Sequence, residues 1–140
     1  MKTRSFESIH VGDALPELAI PITSTLVVGG AIASRDFTPV HHDKAAAQAQ
    51  GMPDVFMNIL TTNGLVGRYV TDWAGPDALV RNVAIKLGAP NVPGDTMKLQ
   101  GNVKSADAAT GEGVLEIAGK NGWGNHVTGT VRVALPRAGR

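Results

Sequence analysis

The chain contains no cysteine. That excludes disulfides, thiolate zinc sites and a cysteine nucleophile, and it fits a reducing, cytoplasmic setting. Excess charge of one sign is missing too. The formal net charge is +1 and the lysines and arginines are scattered, so nothing points to a nucleic-acid partner. The N-terminal stretch M-K-T-R-S-F-E-S-I-H lacks the apolar core of a signal peptide. No apolar run is long enough to span a bilayer. There is no internal repeat, and no low-complexity tract beyond the short run Ala45 to Gln50. The stretch Gly88 to Gly94 lacks the pattern of a phosphate-binding loop. The expectation is a soluble intracellular protein with no membrane partner.

What is present is an ordinary globular composition. A chain of 140 residues, 43% hydrophobic and 18% charged, suits one domain over 1–140 with a real core. Its 17 glycines and 8 prolines cluster between periodic segments and punctuate them. Val11-Gly12-Asp13 reads as a turn. Leu15 to Ile22 reads as extended, because Pro16 and Pro21 remove donors and disfavour helix. Thr23 to Ser34 is expected to be helical, capped by Thr23 or Ser24, with Leu26, Val27, Gly30 and Ala31 on its apolar face. Asp36 to His42 reads as a loop in which Pro39 fixes its own φ and pushes Thr38 towards an extended conformation. Asp43 is placed to cap a short helix, Lys44 to Gln50, that stops at Gly51.

Asp54 is placed to cap a long helix from Val55 to about Trp73, ended by Gly75-Pro76. Val55, Phe56, Ile59, Leu60, Asn63, Val66, Val70 and Trp73 recur at three- and four-residue spacings. They form one mostly apolar face that needs covering. From Leu79 the period changes to two. Leu79 to Leu87, Thr96 to Ser105, Glu112 to Gly119 and His126 to Leu135 read as strands separated by turn formers. In the last of these, Val127, Val131, Val133 and Leu135 face one way, and His126, Thr128, Thr130 and Arg132 the other. The basic tail from Pro136 is expected to fray. The sum is an α+β domain, helices first and then an antiparallel meander against which the long helix must lie. Its exposed sheet edges suit a partner subunit paired edge to edge.

Asp36 and His41 are the candidate chemical pair. A carboxylate and an imidazole on one constrained loop can move protons at a shared substrate. Taken alone, D-x-x-x-x-H reads more simply as a turn-capping aspartate and a surface histidine.

The context changes that balance. S-R-D-F-T-P-V-H-H-D resembles the signature G-D-x-N-P-x-H-x-D of the MaoC-like (R)-specific enoyl-CoA hydratases, with Asp36, Pro39, His41 and Asp43 matching by position. A-P-N-V-P-G-D-T-M resembles that family's P-V-x-P-G-D-T-L, and F-E-S-I-H-V-G-D-A-L-P resembles its N-terminal segment. The resemblance implies a hot-dog fold, a long central helix wrapped by an antiparallel sheet that dimerises through the sheet. It implies that Asp36 and His41 form the dyad that activates water and delivers a proton to the α-carbon of an enoyl thioester. The thioester oxygen would be held by a backbone N–H; the family's H-G pair aligns with Asn58-Ile59, which gives the Ile59 amide that role. Thr38, in place of the family's asparagine, and Asn58 would touch the substrate. Arg35 stands in place of a glycine. D-F-x-x-V-H-H-D, V-F-M-N-I-L-T, G-L-V-G-R-Y-V-T-D-W-A-G-P and L-G-A-P resemble, more narrowly, the small MaoC-like subunits of actinobacterial steroid side-chain hydratases, which serve cholesterol β-oxidation. That resemblance implies an acyl-CoA substrate and no cofactor, coenzyme A being part of the substrate. It also implies either a homodimer or a heterotetramer with a larger MaoC-like/DUF35 subunit.

Two other readings stay open at this level. One is a non-catalytic subunit that shapes a partner's tunnel, suggested by Thr38 and Ile59. The other is a hot-dog thioesterase acting on acyl-CoA. His42 beside His41 has no ligand spacing with His10 or His126, and no metal is expected. Arg81 and Lys86 fit coenzyme A phosphates and a solvated sheet face equally well. Arg68, Tyr69, Asp72 and Trp73 fit a pocket wall and plain core packing equally well.

Overall fold

Residues 2–139 are described by the structure, a computed structural model. The elements run β1 (Ala14–Pro21), α1 (Ser24–Ala33), α2 (Lys44–Ala49), α3 (Ile59–Ala74), β2 (Leu79–Leu87), β3 (Thr96–Asp107), β4 (Glu112–Asn121) and β5 (Gly124–Ala134). The strands form one antiparallel sheet in the order β1-β3-β4-β5-β2. β3, β4 and β5 make the expected meander, and β1 and β2 take its two edges. Pro16 and Pro21 lie in edge strand β1, where a missing N–H need not break a ladder.

Alternation in the central strands sends Met97, Leu99 and Val103, then Leu115 and Ile117, then Val127, Val131 and Val133 into the core. Against them α3 presents Val66, Tyr69, Val70 and Trp73, all buried. Each such aliphatic side chain contributes about 1.5–3 kcal/mol when fully buried. A long helix packed on a five-stranded antiparallel sheet is the α+β, hot-dog arrangement expected from the sequence. The local signals work as read at several points. The Thr23 side chain accepts the Leu26 amide at 3.0 Å and starts α1. Asp43 Oδ1 accepts the Ala45 and Ala46 amides and starts α2. Gly51 and Gly75 carry positive φ just past α2 and α3.

Three expectations are corrected. The long helix begins at Ile59 rather than Val55, and its cap is Asn58 rather than Asp54. Residues 55–58 are held outside the helix by tertiary bonds: Phe56 N–H donates to the Val40 carbonyl and Met57 N–H to the Asn91 carbonyl. The apolar stripe shifts accordingly. Ile59, Leu60 and Asn63 are exposed on this chain, while Thr62 and Tyr69 are buried. Second, His126 does not face away from Val127; both are buried. Third, the tail does not fray at Pro136. The Phe6 amide donates to the Pro136 carbonyl, the Arg137 guanidinium stacks 4.7 Å from the Phe6 ring centre, and the Ala138 amide donates to Glu7.

Candidate active site

Asp36 sits where α1 ends. The Asp36 amide donates to the Ala31 carbonyl at 2.9 Å and the Arg35 amide to the Ile32 carbonyl at 3.0 Å. This pair of bonds closes a helix C-terminus through one left-handed residue, a place usually given to glycine. Here that residue is Arg35, with φ 57°. The backbone of Asp36 is therefore fixed by the last turn of α1.

The Asp36 side chain is fixed as firmly. Oδ1 accepts the Thr38 hydroxyl at 2.7 Å and the Thr38 amide at 3.2 Å, and Oδ2 accepts Asn58 Nδ2 at 3.0 Å. These donors, Asn58 first and Thr38 next, hold the carboxyl down to a pKa of about 2, so it is an anion across the neutral range. Asn58 is buried and fully used. Its amide nitrogen also donates to Ser34 Oγ at 2.9 Å, and its carbonyl oxygen caps α3 by accepting the Thr61 amide at 3.0 Å.

His41 ends a single 3₁₀ turn, Pro39–His41, that Pro39 begins. Its ring is buried and meets the Phe56 ring edge-on, 5.1 Å between centres. Nδ1 lies 2.6 Å from the Phe56 carbonyl oxygen. A carbonyl only accepts, so in the neutral ring Nδ1 carries the hydrogen and Nε2 keeps the lone pair. Nε2 points at Asp36 Oδ2, 3.4 Å away. An anionic oxygen and an imidazole lone pair thus face one spot, and a water placed there would meet two proton acceptors. Ile59 follows Asn58 directly, in the first turn of α3, where N–H groups have no acceptor within the helix and the dipole is positive.

The other sequence candidates do not join this group. His42 is exposed, and among the described residues no three His, Cys, Asp or Glu side chains are arranged to hold a metal. Arg81 pairs with Glu112 at 3.6 Å and Arg68 with Asp72 at 3.3 Å. Tyr69 and Trp73 belong to the core. Sequence reasoning missed Ser34 and Phe56 as supports of the dyad. Their contributions are a hydroxyl at a helix end and a main-chain carbonyl, which no residue pattern signals. On the segments that carry Asp36 and Asn58, large apolar side chains are exposed: Ile32 55%, Phe37 67%, Ile59 48% and Leu60 48%.

Comparison with known proteins bears on the family and the fold. The profile of the family described as MaoC like domain matches residues 6–126. The chain is 46% identical over 127 residues to the 3-oxo-4,17-pregnadiene-20-carboxyl-CoA hydratase beta subunit of Mycobacterium tuberculosis, covering 89% of this chain and 95% of that protein. Among solved structures, a chain of the ChsH1-ChsH2 complex from Mycobacterium tuberculosis superposes with a TM-score of 0.87 at 45% identity, covering 90% of this chain and 98% of that one. The (R)-hydratase from A. caviae involved in PHA biosynthesis shares the fold, with a TM-score of 0.85 at 21% identity over 93% of this chain and 99% of that one.

Proposed function

The chain belongs to the MaoC-like domain family and is a hydro-lyase of that family; from that premise we propose that it hydrates the 2,3 double bond of a steroid side-chain enoyl-CoA, with Asp36 and His41 as its dyad. The observation that carries the reading is the convergence of Asp36 Oδ2 and His41 Nε2 at 3.4 Å beside the start of α3. The steroid substrate class rests on the name of the 46% identical relative.

The steps follow from which groups are acceptors. Water sits beside the pair, within hydrogen-bond reach of both side chains, and loses a proton to His41 Nε2 as its oxygen bonds to the β-carbon. The Asp36 anion stabilises the imidazolium that forms. Electrons move through the α-carbon to the thioester oxygen, which the Ile59 N–H and the positive end of α3 stabilise. His41 then returns the proton to the α-carbon, so one water is added and both side chains end as they began. Thr38 and Asn58 act by holding Asp36 rather than by touching the substrate. The thioester itself supplies the activation, so no cofactor enters.

The exposed collar of Ile32, Phe37, Ile59 and Leu60 supports a partner subunit that covers the acyl group from the open side. β2, an edge strand without proline, supports pairing of sheets between subunits. The ChsH1-ChsH2 relative is a complex of two components, and the same assembly here would join this chain to a larger MaoC-like/DUF35 subunit. No helix is long and apolar enough to cross a membrane among the described residues. An acyl-CoA substrate fits a cytoplasmic site of action.

The test is to give the chain, alone and with such a partner, a steroid side-chain enoyl-CoA. The expected product is one water heavier by mass spectrometry. Release of free coenzyme A thiol would instead identify a thioesterase. Hydration at the wild-type rate in both Asp36→Asn and His41→Ala would remove the dyad from the mechanism.

A further inference from the structure

The one buried histidine outside the dyad lies beneath the first turn of α3. β5 is shifted against β4 at this point: Gly119 pairs with Val127 but Lys120 pairs with Asn125, so His126 is an extra residue on β5. An extra residue of this kind is a β-bulge, and it breaks the strict alternation of sides along a strand. The bulge sends the His126 ring inward beside Val127, leaving it 1% exposed.

Both ring nitrogens are engaged. Nδ1 lies 2.7 Å from the Ala89 carbonyl oxygen and Nε2 lies 2.8 Å from Thr62 Oγ1. The carbonyl can only accept, so Nδ1 carries the hydrogen, Nε2 accepts, and the Thr62 hydroxyl donates to it. Burial favours this neutral ring by lowering its pKa. Ala89 is itself tied to β5, its amide donating to the Asn125 carbonyl at 2.8 Å. Thr62 is fully buried, and its amide donates to the Asn58 carbonyl at 3.3 Å. The bonded path therefore runs from the sheet through His126 and Thr62 to Asn58, and from Asn58 to Asp36.

We propose that Thr62 and His126 are positioning residues: the bulged histidine accepts a hydrogen bond from the Thr62 hydroxyl and locks the first turn of α3, so that Asn58 and the Ile59 amide stay in register with Asp36. Helix α3 crosses the sheet mainly on apolar contacts, which resist separation but do not define a rotation or a slide. A directional bond at the first turn supplies that definition where a small misplacement is most costly. Displacements of an ångström at a reacting centre are worth up to about a hundredfold in rate. This inference rests on the proposed hydration for its kinetic consequence, but its structural half does not.

The variants are Thr62→Val, which removes the hydroxyl at nearly constant volume, Thr62→Ser, which restores it, and Val133→Ala, which removes buried volume near the far end of β5. Two readouts are taken on the chain as given in the sequence. The first is the NMR titration of the Asp36 carboxyl, which needs no activity. In Thr62→Val its midpoint rises because the Asn58 bond loosens; Thr62→Ser returns it, and Val133→Ala leaves it unchanged while lowering the melting temperature. The second is hydration kinetics. Thr62→Val loses between about tenfold and a hundredfold in kcat with KM little changed, and Thr62→Ser recovers most of it. An Asp36 midpoint in Thr62→Val equal to wild type overturns the inference, whatever the activity. An unmoved kcat in an active protein does so as well. A wild-type chain without hydration, but with the Asp36 midpoint shifting as described, defeats the proposed reaction and leaves the positioning role standing.

Discussion

Asn58 Nδ2 lies 3.0 Å from Asp36 Oδ2 while its Oδ1 lies 3.0 Å from the Thr61 amide, so one side chain both starts α3 and holds the acid. Asn58→Ala loses both at once. The lost cap lowers stability by about 1 kcal/mol, measured by denaturant unfolding. The lost donor raises the Asp36 pKa from about 2 towards its ordinary 3.8. The sign of the linkage follows. A native carboxyl below its unfolded pKa stabilises the fold above about 3.8 and loses that stabilisation as pH falls towards 2. In Asn58→Ala that acid-sensitive window narrows from its lower end. An Asp36 titration unchanged in the variant would show that Thr38 alone sets it.

Removing either member of the dyad is expected to separate chemistry from folding. Asp36→Asn and His41→Ala lose about 10²–10⁴-fold in kcat, the usual range for a positioned proton-transfer group. Far-UV circular dichroism stays at the wild-type spectrum, because neither side chain belongs to the core that β3, β4, β5 and α3 build. A loss of less than tenfold in both would place the proton transfers elsewhere.

Much of the fold was legible because its signals are local. Thr23, Asp43, Gly51 and Gly75 each do at a helix end what their chemistry favours, and the strands alternate. The start of α3 was not legible. Asp54 and Asn58 are both competent caps, and Val55 and Phe56 continue the helical spacing. The choice between them is made by Val40 and Asn91, whose carbonyls hold residues 55–58 extended from distant parts of the chain. That extended piece turns the Phe56 carbonyl onto His41, so the missed boundary and the missed support of the dyad have one cause. The side of β5 on which His126 lies was hidden for a related reason. A bulge depends on the register of two strands, and one strand's pattern does not reveal it.

Arg35 occupies the left-handed position next to Asp36, with φ 57°. For a residue with a Cβ this conformation costs about 1–2 kcal/mol. Glycine would pay back part of that saving through a more flexible unfolded chain. Arg35→Gly is expected to stabilise the fold by about 0.5–1 kcal/mol, read as a raised denaturant midpoint at unchanged slope. A midpoint equal to wild type would mean that the guanidinium makes an offsetting contact.

Gly30 lies in α1 directly against Thr61 of α3, so close that an added Cβ would overlap the Thr61 side chain. Gly30→Ala therefore forces α1 away from the first turn of α3. A stability loss of about 1–3 kcal/mol is expected, the usual cost of overpacking. Asp36 and Asn58 sit on the two parts being pried apart, so hydration should fall with it. Gly29→Ala, where an added Cβ meets nothing, is the matched control and should behave as wild type or slightly better.

The bonds described above that orient the acid and the imidazole, from the end of α1, Thr38, Asn58 and the Phe56 carbonyl, are made within one polypeptide. A neighbour built on the same architecture is thus under no obligation to keep working copies of those groups. After a duplication, one descendant could shed its proton-handling residues and be remoulded to suit a bulkier guest, while the other kept the reaction intact.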